Sequence, residues 1–298
     1  MANRMKTVEL FLALTIVGAV GTQAVSSNAY ETEDAAGEIQ VLMAEGGEGG
    51  ESAEGGEGGE SAEGGEGGEG GESAEGGEGG EGGEGAVSSG DADVDYMTVL
   101  GLMKGHLAAA QELIAIGNYE QAEPHIGHLV EELYSDIETV LPEKGVEDFK
   151  PTLSQLQDLI KSAPDSPEVK TLLEESSASV DGAIAAIPEE KRNSPEFILN
   201  SMVEMLKNAA IEYEAAIANN QFVEIVEYQD SRGFVFYADE LYQVVADQKS
   251  QEDPEGHQVI SDTLAELKTA WPTIEPPEAP LKEPSEIYSL VSQIEFNK

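Results

Sequence analysis

Two histidines, His125 and His128, stand three residues apart in the segment AEPHIGHLVEELY (122–134) and are followed by Glu131 and Glu132. On a helix advancing about 100° per residue, His125, His128 and Glu132 fall within roughly 60° of one another. Glu131 lies somewhat apart. The remaining apolar residues, Ile126, Leu129, Val130, Leu133, Ile137 and Val140, occupy a separate stripe. This spacing predicts a polar face on which imidazole and carboxylate could meet as neighbouring ligands.

A third histidine reaches the same level. A turn at Gly117-Asn118 would fold the helix before it antiparallel to the helix after it, and so bring His106 to the height of His128 and Glu132. Met103 lies one turn before His106. Imidazole with carboxylate suits a transition metal such as Zn²⁺, Cu²⁺, Fe or Ni²⁺, and the thioether would add affinity for Cu⁺. The candidate metal ligands are therefore His106, His125, His128, Glu132, Glu131 and Met103. The competing reading leaves His125 and His128 on a solvated face and His106 half-buried as a packing residue.

A second polar block lies in VEYQDSRGF (226–234). Taking Phe222, Ile225, Val226, Phe236 and Val244 as the inner stripe of its helix puts Gln229, Arg232 and Glu240 on that stripe. Buried polar groups need partners. One reading is a bridge from Arg232 to Glu240 or to an aspartate. In the other, Arg232 neutralises a carboxylate near the histidines while Glu227 and Asp230 supply further oxygen ligands.

The elements that must position these residues are helices. Start and stop signals predict helices over Tyr96–Ile116, Tyr119–Leu141 with Pro124 as a candidate kink, about Glu147–Ser162, from Ser166-Pro167, from Ser194-Pro195, Phe222 to about Asp247, Asp253-Pro254 to Trp271-Pro272, and about Glu286–Phe296. No segment reads as a strand. The expected fold is all-α, an antiparallel bundle of about seven to eight helices. The echo between AIGNYEQAE and AIANNQFVEIVE suggests two related αα-hairpins. The small residues Gly101, Gly105 and Ala109 form a ridge on which a neighbouring helix could approach closely.

The first 90 residues are of another kind. Arg4 and Lys6 precede an apolar run from Leu10 to Val20, which reads as a signal peptide over 1–29. From Glu45 to Glu84 every third residue is glutamate, mostly separated by Gly-Gly. Glycine entropy and like-charge repulsion predict a disordered acidic linker over 30–90 ahead of a helical-bundle domain at 91–298. With no cysteine there is neither disulfide nor thiolate site, and a formal charge of −45 disfavours nucleic acid or an anionic membrane surface as partner. No later segment is apolar enough to span a membrane. No nucleophile elbow or phosphate-binding loop is present, so nothing specific supports an enzyme.

The segment HLVE (His128 to Glu131), with the apparent leader and the helical domain, resembles the imelysin and periplasmic iron-uptake bundles marked by a Gly-x-His-x-x-Glu motif. Here Ile126 takes the glycine position and Gly127 follows. The segments MKGHL, EPHIGH and YQDSRGF are similar to those of uncharacterised secreted helical-bundle proteins of cyanobacteria, over roughly Tyr96 to the C-terminus. These resemblances imply the architecture more than an activity. The expectation is a periplasmic or extracellular metal-binding protein for capture, storage or delivery of a transition metal. The alternative is a structural or protein-interaction module of the cell envelope, with a protein partner and no metal site.

Overall fold

A computed structural model describes residues 89–298. The expected signal peptide lies wholly outside these residues, as does nearly all of the acidic linker. Among the described residues the chain is helical apart from one two-stranded ribbon, and the all-α antiparallel architecture is as expected.

Helix α1 (Ala92–Ala115) begins where Asp91 accepts from the backbone N–H of Asp93 at 2.8 Å and of Val94 at 3.4 Å, satisfying donors that the first turn leaves open. It ends at Gly117, whose φ of 79° suits a residue without Cβ. Asn118 then caps α2 (Tyr119–His128), which returns antiparallel to α1.

The single helix expected over 119–141 differs in detail. After His128 the backbone widens into a π-turn over Leu129–Leu133, continues as the short α3 (Tyr134–Ile137) and dissolves into turns. A π-turn holds an additional residue, so side chains beyond it leave the register that an ideal α-helical wheel assigns.

Next come α4 (Lys150–Ser162) and α5 (Pro167–Ala185), packed together as a hairpin, and the short α6 (Glu189–Arg192). The start of α4 is three residues later than expected. There the Tyr134 hydroxyl accepts the Phe149 backbone N–H at 3.1 Å and Asp148 accepts that of Lys150 at 3.0 Å, so the chain before Lys150 is held outside the helix.

Helix α7 (Pro195–Ala215) and α8 (Ile225–Gln243) form the second long hairpin. Its connection corrects the expectation of no strands. Ile217–Ala218 (β1) pairs antiparallel with Gln221–Phe222 (β2) around Asn219 and Asn220, whose φ values of 53° and 60° are the left-handed pair that a two-residue hairpin loop requires. Asparagine tolerates that region better than most residues. Helices α9 (Ala246–Glu252), α10 (Pro254–Leu267) and α11 (Pro284–Phe296) complete the domain. The sixth expected helix is thus divided in two at Val244 and Val245.

The two long hairpins pack together: α1 lies against α2, α5, α7 and α8, and α2 also touches α8. Both α1 and α7 are apolar on more than one side, burying Leu100, Leu102, Met103 and Leu113 from one and Met202, Met205, Leu206 and Tyr213 from the other. The small-residue ridge of α1 faces these neighbours. A Cβ on Gly105 would lie 2.6 Å from the Phe234 ring, one on Gly233 would lie 2.4 Å from the Gly105 carbonyl oxygen, and one on Gly101 would lie 2.5 Å from the Met205 sulfur. The close crossing of α1 and α8 occurs one residue from His106 and three from Asp230.

Candidate metal centre

Four side chains from three helices converge between α1, α2 and α8. His106 Nδ1 and His125 Nδ1 each lie 2.6 Å from Asp230 Oδ1, and His128 Nδ1 lies 3.3 Å from Asp230 Oδ2. The His106 ring centroid is 6.1 Å from that of His125 and 5.3 Å from that of His128. His106, His125 and Asp230 are fully buried, and the His128 side chain keeps 17% of its exposure.

Local sequence accounts for each placement. His106 borders the glycine ridge, so α8 can come close enough for Asp230 to reach it, and Phe234 closes the other side of the ring edge-on at a centroid distance of 5.0 Å. His125 and His128 share a face at i, i+3, and α8 covers that face. The helical register of α8 is held from behind by Trp271, whose indole N–H donates to Ser231 at 2.8 Å, and by the Tyr228 hydroxyl, which donates to the Thr273 carbonyl at 2.8 Å.

Burial desolvates the Asp230 carboxylate and pushes its pKa up, but the charges and hydrogen bonds of His106 and His125 outweigh this and hold it well below the usual carboxylate range. An ionised carboxylate so deeply buried is tolerable only because imidazoles face it. Asp230 Oδ2, on the side of His128, accepts no hydrogen bond. An ion with bonds of about 2.0–2.2 Å needs donors roughly 3–3.5 Å apart; the 3.3 Å contact of His128 falls in that range and the 2.6 Å contacts of His106 and His125 are shorter. The donor atoms of His106, His125 and Asp230 all fall within 4.8 Å of one another. A small outward movement of the rings would admit an ion. Two or three imidazoles with one carboxylate form a donor set suited to divalent iron, zinc, nickel or copper.

The other residues expected at the site are placed as follows. Glu132 lies half-buried within the π-turn that follows His128. Glu131 accepts from Gln157 of α4 at 3.2 Å. Met103 is fully buried in the apolar core. Glu227 is half-buried in the first turn of α8. Arg232 bridges neither Glu240 nor an aspartate: its Nη1 donates to Glu112 of α1 at 2.5 Å, and its guanidinium lies 4.3 Å over the Phe236 ring. The stripe expected for α8 is also displaced, since Ile225 and Val244 are exposed while Tyr228, Ser231, Val235, Ala238 and Tyr242 are buried. Gln229, expected only to need a partner, belongs to the surroundings of the cluster. It bonds His125 Nε2 at 3.0 Å, and its adjacency to Asp230 in a polar block was the available signal. The fourth histidine, His257, pairs with the Tyr242 hydroxyl at 2.7 Å.

Fold and site together define a helical bundle with a buried histidine–aspartate cluster. Residues 188–297 match the family described as the iron permease-associated 4-helix bundle domain. The match spans α6 to α11 and so contains Gln229, Asp230 and Arg232, while His106, His125 and His128 precede it. It agrees with the coarser part of the resemblance, a helical bundle linked to iron uptake, and it points neither to imelysins nor to cyanobacterial secreted proteins. Comparisons with curated proteins and with solved structures give no significant match.

The expected periplasmic or extracellular location is corrected by the same match, because iron permeases are membrane proteins. Among the described residues no helix is long and apolar enough to cross a membrane.

Proposed function

We infer that this chain is a metal-binding helical protein that acts with membrane iron transport, holding one transition-metal ion among His106, His125, His128 and Asp230. The observation that carries this reading is the convergence of three imidazoles from two helices on one fully buried carboxylate of a third. The family match supports it by linking the segment that contains Asp230 to iron permeases. Capture and delivery suit the site better than catalysis. His128 alone of the four retains solvent exposure, so an ion would enter and leave past its ring.

A second reading, a structural or interaction module without a metal, is favoured by one observation. Asp230 already pairs with two imidazoles, which gives the cluster a packing role of its own.

Thermal unfolding of the full chain against Fe²⁺ under anaerobic conditions, Zn²⁺, Ni²⁺, Cu²⁺ and Ca²⁺ separates the two, with Asp230→Asn alongside. A ligand that binds only the folded state at 100 times its Kd adds about 2.7 kcal/mol, a shift of roughly 5–10 °C for a domain of this size. The expected result is such a shift at one equivalent of a transition metal, lost in the variant. An equal response in both proteins would assign the effect to the acidic surface and leave the second reading.

A further inference from the structure

Behind His125 runs a chain of amides whose polarity is fixed at one end by the backbone. The Gln121 backbone N–H, which can only donate, is capped by Asn118 Oδ1 at 3.4 Å. The Asn118 amide is thereby oriented with Nδ2 outward, donating to Gln121 Oε1 at 2.9 Å. The same Gln121 oxygen accepts from Gln229 Nε2 at 2.9 Å, using its second lone pair. With its nitrogen committed there, Gln229 presents Oε1 to His125 Nε2 at 3.0 Å. An amide oxygen cannot donate, so the proton of that bond belongs to the imidazole.

We propose that Asn118, Gln121 and Gln229 form a polarised relay that holds a proton on His125 Nε2 and so dedicates Nδ1 to the side facing Asp230. Its metal clause rests on the function proposed above: the relay makes Nδ1 the ligand atom, with the ring already oriented. Nε2 keeps its proton whether a proton or an ion lies between Nδ1 and the carboxylate. A histidine ligand whose second nitrogen is committed in this way is preorganised, and loss of such a partner typically weakens metal binding about 10–100-fold. Gln229 and Gln121 are positioning residues, since Gln229 touches the ligand and Gln121 touches only Gln229.

Three features argue for this assignment over a neutral packing contact. Gln229 and His125 are both fully buried, so water cannot replace a mismatched partner. The relay starts at the N-cap of α2, three hydrogen bonds from His125, which leaves one self-consistent set of amide orientations. It also joins α2 to α8, so that the ring of His125 is fixed by both helices that must align to form the cluster.

The test uses the full chain with ¹⁵N-labelled histidine, read by long-range ¹H–¹⁵N correlation before and after Zn²⁺ as a diamagnetic probe. Gln121 is half-buried and two bonds removed from the ligand, so its variants spare the fold. Gln121→Glu keeps an acceptor for Asn118 and Gln229, whereas Gln121→Leu removes it and frees Gln229 to turn its amide over. The expected result is a protonated His125 Nε2 in the wild type and in Gln121→Glu, unchanged when Zn²⁺ binds Nδ1. In Gln121→Leu the Nε2 proton becomes exchange-labile, and Zn²⁺ affinity falls by about tenfold. A bare Nε2 in the wild type, Zn²⁺ bound at Nε2, or a His125 spectrum indifferent to Gln121→Leu would overturn the relay, even where Zn²⁺ binds. If no metal binds but the Nε2 proton is present and depends on Gln121, the relay stands and the proposed function falls.

Discussion

Asp230 is the residue on which the others depend. Replacing it by alanine removes the carboxylate that both His106 and His125 contact and leaves two buried imidazoles facing a void. Breaking a buried pair from one side costs about 3–5 kcal/mol, so Asp230→Ala should lower the urea midpoint sharply without a change in m-value. Asp230→Asn keeps the volume and one acceptor, and should lose distinctly less. Equal losses in the two variants would mean that volume, rather than the acceptor, holds the cluster. The histidines were visible in the sequence because type and spacing alone mark them. Asp230 was recognised only as an auxiliary oxygen ligand, since the wheel of α8 was anchored on Ile225 and Val244, and those residues face solvent. Hydrophobicity identified the helix but not which side of it the rest of the molecule would cover.

At the level of elements, the crossing of α1 and α8 sets the distance from His106 to Asp230. Gly233→Ala would place a methyl group 2.4 Å from the Gly105 carbonyl oxygen, and backbone cannot swing aside as a side chain can. The helices must separate, at a cost of about 1–3 kcal/mol that outweighs the gain in helix propensity. Gly182 in α5 is the contrasting case: it is exposed, and a Cβ there meets nothing within 4 Å, so Gly182→Ala should stabilise by about 0.5–1 kcal/mol. Thermal unfolding of the pair checks both signs. The expected ridge at Gly101, Gly105 and Ala109 was legible from residue size. The π-turn after His128 was not, because no single residue in LVEEL forbids the α-helix.

Another inter-element tie is open to titration. Asp93 in the first turn of α1 accepts from Lys144 at 2.6 Å and from Lys191 at 2.5 Å, and these two lysines hold its pKa below the ordinary value of 3.8. A depressed carboxylate stabilises the fold above its unfolded pKa and loses that contribution as pH falls through the lower folded value. The stability difference between wild type and Asp93→Asn should therefore be constant above about pH 5 and shrink towards zero in more acidic solution. With Lys191 partly exposed, solvent screening limits the difference to about 1 kcal/mol or less. A difference that grew on acidification would contradict the assignment.

For the molecule as a whole, charge imbalance dominates. Sixty acidic groups face 15 cationic ones, so most carboxylates cannot be paired even though many lysines, among them Lys104 with Asp181, Lys161 with Glu123, Lys207 with Glu295 and Lys268 with Asp239, are held in ion pairs. Self-repulsion of this size should outweigh the screening of individual pairs, and raising monovalent salt from about 0.05 to 0.5 M should increase the Tm of the full chain. A fall in Tm would show that the ion pairs matter more than the excess.

The cluster also has a topological meaning. Its side chains come from positions 106, 125 and 128 on one hairpin and 230 on the other, so the segment resembling a permease-associated domain holds only the last of them. In a chain with no cysteine, an ion bound there would act as a cross-link, closing a loop of about a hundred residues. A permanent link of that span is worth about 4–5 kcal/mol in chain entropy. Unlike a disulfide it would come undone when its cargo left, so that loading and unloading would fasten and release two distant halves of the domain.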